Sequence, residues 1–149
     1  MSNLTIMVGA PGSGKSTIAK DLAKKAGNTV IISSDEIRAE LFGDEAVQAD
    51  PTRVFSLAYA RARRELEKGK NVIFDSTAAN PLLRSRVLEA CGKNAEAVEF
   101  VFVDTPLDVC LKRNKMRSRH VPDNVIRRYI ARLIPPTEAE GGSVVRIGS

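Results

Sequence analysis

Gly9-Ala10-Pro11-Gly12-Ser13-Gly14-Lys15-Ser16-Thr17 sets three glycines, a lysine and paired hydroxyls at the spacing G-x-x-x-x-G-K-[ST]. Residues of these types in this order bind polyphosphate. Glycine lets the backbone turn tightly and aim successive N–H groups into one concavity, with an ammonium and a hydroxyl following. The short apolar run Leu4 to Val8 precedes the stretch and a helical pattern follows it, which is the strand-to-helix setting of a P-loop. A helix starting near Lys15 adds the positive end of its dipole. Gly9, Ala10, Pro11, Gly12, Ser13 and Gly14 are then the cradle of a nucleoside triphosphate, ATP. Lys15 reaches the β- and γ-phosphates and serves catalysis there, the Ser16 hydroxyl sits on Mg²⁺, and Thr17 supports the α-phosphate side. Such a loop specifies the nucleotide and leaves the reaction open.

Phosphoryl transfer further needs an acceptor hydroxyl that is aligned and relieved of its proton, and charges that neutralise the moving group. The sole histidine, His120, reads as a surface residue of a lid, so a carboxylate, or less readily a lysine, is left as general base. Asp35 is the candidate, because it falls at the carboxyl end of the β-branched run Thr29 to Ser33, where open α/β sheets place ligands. Its bland alternative is to cap the helix that follows. Arg38, one turn on, shares the face of Asp35 and would grip a phosphate on the acceptor; the alternative is an i,i+3 ion pair with Asp35. Asp75 ends another apolar run and is either a carboxylate behind Mg²⁺ or an orienter of Arg38 or the acceptor. Arg113 and Arg117 are i,i+4 neighbours with Arg119 just beyond, a segment suited to closing as a lid and bringing guanidinium groups to the γ-phosphoryl. Lys112 and Lys115 rather complement their own helix dipole.

The elements that must position these groups alternate along the chain. Apolar runs at Leu4 to Val8, Thr29 to Ser33, Asn71 to Asp75 and Ala97 to Asp104 predict strands, and Ser143 to Ile147 a short fifth. Helical spacing links them. In the helix entered through Asp50-Pro51, Phe55, Tyr59, Ala62 and Leu66 read as the buried stripe, with Arg53, Arg61, Arg63 and Arg64 as a solvated face. Strand–helix alternation predicts an α/β fold: a doubly wound parallel sheet of about four to five strands, helices on both faces, and an arginine-rich lid. The 149 residues fit one domain, with 43% hydrophobic and 28% charged residues as in ordinary globular chains. No leader or bilayer-length apolar run is evident, so a cytoplasmic protein without membrane partners is expected. Cys91 and Cys110 are expected to be buried free thiols. Lys and Arg number 23 against 18 Asp and Glu, a formal charge of +5 that suits a polyanionic partner.

Taken together, GAPGSGKST, Ser34-Asp35-Glu36-Ile37-Arg38, Phe74-Asp75-Ser76-Thr77-Ala78-Ala79-Asn80-Pro81, Val103-Asp104-Thr105-Pro106, Leu111 to Arg117 and Val121 to Arg127 occur in one order. In that order they resemble the 5′-kinase module of phage-type polynucleotide kinases, from about Leu4 to Leu133. The resemblance implies the P-loop kinase fold and transfer of the γ-phosphoryl of ATP to the 5′-hydroxyl end of DNA or RNA. It implies that Lys15 and Ser16 hold phosphates and Mg²⁺, that Asp35 activates the 5′-hydroxyl, and that Arg38 binds the phosphate on the 3′ side of the terminal nucleoside. Asp75 would support the acceptor site, Arg117 would stabilise the transition state from the lid, and Arg113 would lie near the nucleotide. Ser34 stands where a basic or aromatic residue is commoner, and Ser-Thr-Ala-Ala follows Asp75 where a threonine–asparagine pair is frequent. The phosphatase half often fused to such kinases is not expected. A kinase of a small-molecule hydroxyl or of a modified DNA base, and a nucleotide-binding switch that is no kinase, are the other readings.

Overall fold

A computed structural model describes residues 2–43, 50–76, 78–117 and 121–148. Thr77, Ser118, Arg119 and His120, which figure in the sequence reading, lie outside the described residues. The apolar runs form β1 (Asn3–Val8), β2 (Thr29–Ser33), β3 (Asn71–Asp75) and β4 (Ala97–Asp104), and Ser143–Gly148 adds β5. All pair in parallel in the order β2-β3-β1-β4-β5. The side-chain period of two sends Leu4, Ile6 and Val8 of β1 to one face and Met7 to the other, and all four are fully buried. Strands buried on both faces explain why β1, β3 and β4 read as continuous apolar runs rather than alternating ones.

The connections supply both covering layers. Helix α1 (Lys15–Ala26) lays Ala19, Ile18 and Leu22 against Met7, Ile73 and Val101. Helices α2 (Ser34–Phe42), α3 (Pro51–Glu67) and α4 (Pro81–Cys91) cover the opposite face with Ile37, Val54, Ala58, Val87 and Cys91. The inner stripe of α3 is Val54, Ala58, Ala62 and Leu66, at i,i+4 spacing. Phe55 and Tyr59, expected in that stripe, lie half-buried on its flank. The alanines bring the helix close to the sheet, and the bulky rings turn to where there is room. Two arginines expected on a solvated face tie helices together: Arg61 forms a two-pronged pair with Glu40 at 3.0 and 2.6 Å, and Arg63 donates to the Ala90 carbonyl at 3.1 Å. Helices α5 (Leu107–Lys115) and α6 (Asp123–Arg132) form a third cluster, in which Cys110 and Ile126 pack on Ala10. No described helix is long and apolar enough to cross a membrane.

The largest fully buried side chain is a charged one, Arg84 of α4. Its Nε donates to Glu140 Oε1 at 2.7 Å, Nη1 to the Ala78 carbonyl at 2.7 Å, and Nη2 to the Ile134 carbonyl at 2.8 Å and Glu140 Oε2 at 3.1 Å. One guanidinium thus fastens the loop after β3 to the segment after α6, where the Ile134 N–H also donates to the Ala79 carbonyl at 2.9 Å. A buried charge is tolerated only when paired in this way. Replacing Arg84 by Met strands the Glu140 carboxylate and both carbonyls, and is expected to destabilise the fold by about 3–5 kcal/mol, read as a lowered midpoint of urea unfolding.

Cys91 and Cys110 are free and buried, and burial pushes the Cys91 thiol up to about 11. The folded chain therefore holds that proton more tightly than the unfolded chain does. The stabilisation is complete below the unfolded thiol's pKa and is lost as pH climbs towards 11. Both thiols are expected to resist DTNB at pH 8 and to react once the protein is unfolded in guanidinium.

Candidate active site

The loop between β1 and α1 is shaped by its glycines. Gly12 and Gly14 adopt φ of +81° and +91°, a region side chains rarely occupy. A Cβ on Gly12 would also lie 2.5 Å from the Cys110 carbonyl oxygen, so α5 packs directly on the loop. Gly14 is the N-cap of α1 and has no side chain to cap it, and the first turn carries no acidic residue. The orphan N–H groups of that turn are accordingly open to an anion. The Ser13 carbonyl accepts from Thr105 Oγ1 at 2.8 Å and from Arg113 Nη1 at 3.0 Å, which anchors the loop from β4 and α5. Ser13 Oγ is buried with no hydrogen-bond partner among the described residues. Ala10 is buried, Pro11 half-buried, and Ser16 and Thr17 are exposed on the first turn of α1.

Asp75 lies level with Met7 of β1 and Ser33 of β2 across the sheet. The P-loop, α2 and the loop after β3 therefore leave one edge together. With only 7% of its side chain exposed, Asp75 is held by Lys15 and Ser16: Lys15 Nζ is 2.9 Å from Oδ1, and Ser16 Oγ donates to Oδ2 at 3.0 Å. The ammonium sits off the hydrogen-bonding direction of Oδ1, which makes the contact an ion pair and leaves that oxygen without a directed donor. Lys15 Nζ also donates to the Ser76 carbonyl at 3.2 Å. These contacts set Asp75 beside the P-loop lysine and serine.

Asp35 lies in the first turn of α2 without capping it. Ser33 takes the cap, its Oγ accepting from the Glu36 N–H at 3.3 Å. Asp35 instead pairs with Arg38, whose Nη1 lies 3.0 Å from Asp35 Oδ1, so the i,i+3 ion pair that stood as the alternative for Arg38 is the arrangement present. The pair is asymmetric: 59% of the Asp35 side chain is exposed against 9% for Arg38. Arg38 is backed by Phe55, 5.9 Å from guanidinium carbon to ring centroid. Arg113 reaches the P-loop as described, while Arg117 stands exposed just beyond the end of α5.

Two features escaped the sequence reading. Asn114 is fully buried and clasps the backbone of Val121, donating Nδ2 to its carbonyl at 2.7 Å and accepting from its N–H at 3.1 Å. It joins the end of α5 to the lead into α6. An asparagine inside a basic run gives no sign of burial, although its i,i+3 and i,i+4 spacing from Leu111 and Cys110 marks the inner face. The second is a cavity of about 390 Å³ beside the loop after β3, walled by α3 and α4. Its aromatic lining is visible in the sequence only as hydrophobic residues of a helix.

The donor set fits a nucleoside triphosphate with a divalent ion. Unpaired N–H groups, an orphaned Ser13 hydroxyl and Lys15 suit phosphate oxygens. Ser16 and Asp75 are the oxygen ligands or near neighbours a hard cation takes, with phosphate and water supplying the rest. Among the described residues no three His, Cys, Asp or Glu side chains cluster as a dedicated metal site.

Five parallel strands, helices on both faces and this loop define a P-loop kinase fold, which implies nucleotide binding. A family model described as an AAA domain matches residues 4–136, and the chain belongs to that family. An uncharacterised protein of Mycobacterium tuberculosis (strain ATCC 25618 / H37Rv) is 32% identical over 128 residues, 77% of this chain and 26% of that protein. The chain thus spans about a quarter of that relative's length. A chain of the Pnkp1/Rnl/Hen1 RNA repair complex superposes with a TM-score of 0.79 at 26% identity, covering 89% of this chain and 44% of that one. A sugar kinase from Janibacter sp. HTCC2649 shares the fold with a TM-score of 0.71 at 19% identity, over 99% and 86% of the two chains.

The close approach of α5 to the loop makes Gly12 a sharp probe. Gly12→Ala combines strain of about 1–3 kcal/mol from its backbone conformation with the clash against Cys110. It is expected to lower the melting temperature and weaken ATP binding at least tenfold in a calorimetric titration.

Proposed function

We propose that the chain is an ATP-dependent polynucleotide 5′-hydroxyl kinase acting on DNA or RNA ends. The observation that carries this reading is the Asp35–Arg38 pair, which sets a solvent-facing carboxylate and a buried guanidinium side by side at the edge from which the P-loop departs. A 5′-terminal acceptor offers the matching groups: a hydroxyl to deprotonate and, one bond series away, a phosphodiester for the arginine. The structural similarity to a chain of an RNA repair complex supports the same choice.

In the reaction, the 5′-oxygen attacks the γ-phosphorus. The new O–P bond forms as the bond from that phosphorus to the β,γ-bridging oxygen breaks, and ADP leaves with the electron pair. The hydroxyl proton passes to the Asp35 carboxylate, on the oxygen that Arg38 does not engage. Lys15 follows the β- and γ-phosphate oxygens, and the N–H groups of the loop hold them in place. Arg117, exposed on the lid side, meets the charge on the transferring group, with Arg113 holding the loop beneath it. Ser16, backed by Asp75, would hold magnesium, which would supply neutralising charge to the phosphate oxygens.

The test is incubation with γ-labelled ATP, Mg²⁺ and 5′-OH oligonucleotides of DNA and RNA, single-stranded and duplex. Label at the 5′ end is expected, and Asp35→Asn is expected to lower kcat by at least 10²-fold while leaving ATP affinity within twofold. Absence of transfer to every nucleic acid, with transfer to a sugar or with acceptor-independent hydrolysis, sinks the reading.

A further inference from the structure

The chain's whole formal excess of positive charge lies on one pair of helices. Residues 107–117 and 123–132, which are α5 with the two residues after it and α6, carry seven Lys and Arg against two Asp, while the rest of the chain balances at 16 against 16. The two acids are placed to answer two of these cations: Asp108 and Asp123 stand four residues ahead of Lys112 and Arg127, the order in which a carboxylate supports a cation on a helix. Arg128 and Arg132 are four residues apart on α6, and neither has an acid three or four residues away. Both are exposed, opposite the face of Ile126, Tyr129 and Ile130 that packs towards Ala10. Like charges at this spacing repel and weaken the helix that carries them. A bound polyanion relieves that repulsion and releases its own counterions as it does so.

The place of α6 in the fold fits such a partner. Its leading end is clasped to α5 through Asn114 and Val121. Just past its other end, the Ile134 N–H donates to the Ala79 carbonyl and the Ile134 carbonyl accepts from Arg84. The helix therefore joins the arginine-bearing end of α5 to the loop that leaves β3 at the proposed transfer edge. Arg128 and Arg132 are separated by about 6 Å along its axis. A compact anion calls for donors that converge in a concavity. Two guanidinium groups along the outside of a helix suit an anion that repeats, and a nucleic-acid strand repeats its phosphate without regard to base.

Resting on the kinase reading above, we propose that Arg128 and Arg132 hold phosphates of the acceptor strand beyond its terminal nucleotide, as a track that confers affinity for length and none for sequence. The reacting end is left to Asp35 and Arg38, and the triphosphate to the P-loop and α5.

Acceptor KM at saturating ATP tests this, with single-stranded 5′-OH oligonucleotides from a dinucleotide to a dodecanucleotide. KM is expected to fall as the strand lengthens. The double variant Arg128→Ala, Arg132→Ala should lose most of that fall, with kcat, KM for ATP and KM for the dinucleotide unchanged. Two phosphate contacts on a single strand contribute about −1.4 to the slope of log affinity against log salt, so between about 50 and 200 mM salt KM for the dodecanucleotide should rise about sevenfold more in the wild type than in the variant. The variant Arg128→Lys, Arg132→Lys should keep the wild-type slope, because such a contact needs a charge rather than a fork. Melting temperature separates lost binding from lost structure: the alanine variant sheds a repulsion and should melt no lower than the wild type. A KM that ignores strand length, a salt slope shared by wild type and alanine variant, or a variant whose only defect is lost sedimentation with phosphatidylserine vesicles would overturn the track while the kinase reading stands. Label on no oligonucleotide at all would remove that reading and this one with it.

Discussion

Asp75 is a carboxylate that cannot be left alone. It ends a strand flanked on both sides, is almost wholly removed from water, and is met there by Lys15 and Ser16 from the first turn of α1. An unpaired ion there would be expensive, so the pairing couples β3 to the P-loop more tightly than apolar packing does. It also presets the loop. Lys15 spends one donor on the Ser76 carbonyl and its charge on Asp75, and an ammonium has three donors. On the proposed reading, the remaining capacity goes to the phosphate oxygens. A lysine already oriented loses less side-chain entropy on meeting a ligand than one swinging free in solvent.

The other half of the cradle is braced from the far side of the sheet. Thr105 at the end of β4 and Arg113 of α5 converge on one carbonyl, that of Ser13, while Cys110 presses on Gly12. Loop and α5 are therefore braced together, and Asn114 extends that bracing to the lead into α6. An arginine fixed on the loop backbone has its charge beside the nucleotide site without being free to travel with a substrate. Arg117, four residues on, has an exposed side chain and donates its backbone N–H to the Asn114 carbonyl at 3.2 Å. On the proposed reading the two share the work unequally, one as scaffold and one as reagent.

What the sequence made legible follows from how local each signal is. The P-loop depends on glycine conformations and fixed spacing, both written in adjacent residues, and the strand bounds follow from β-branched runs closed by turn residues. The phase of α3 was harder. Apolar residues occupy more than one face of it, at 54 and 55 and again at 58 and 59, and only the sheet decides that the small ones go inward. Arg84 was illegible for a stronger reason. Its partners are Ala78, Ile134 and Glu140, and no local pattern announces a guanidinium that three distant segments agree to satisfy. Asp35 lay between these cases: its strand-end position was plain, but that Ser33 and not Asp35 caps α2 depended on which side chain turned back.

That small matter of capping bears on function. A carboxylate that caps a helix has its lone pairs committed to backbone N–H groups, which hold its charge and weaken it as a base. Asp35 does not cap α2; one of its oxygens accepts from Arg38 instead, and Arg38 is itself held by burial against Phe55. The two carboxylates at the edge are thus divided by environment. Asp75, buried and engaged on both oxygens by a cation and a hydroxyl, is suited to holding charge in place. Asp35, exposed and with one oxygen uncommitted, is the carboxylate that the proposed reading casts as the base. On that reading the fixed charge ends β3 and the base stands in the first turn of α2, so the pairing of Asp75 with Lys15 and Ser16 leaves Asp35 to Arg38.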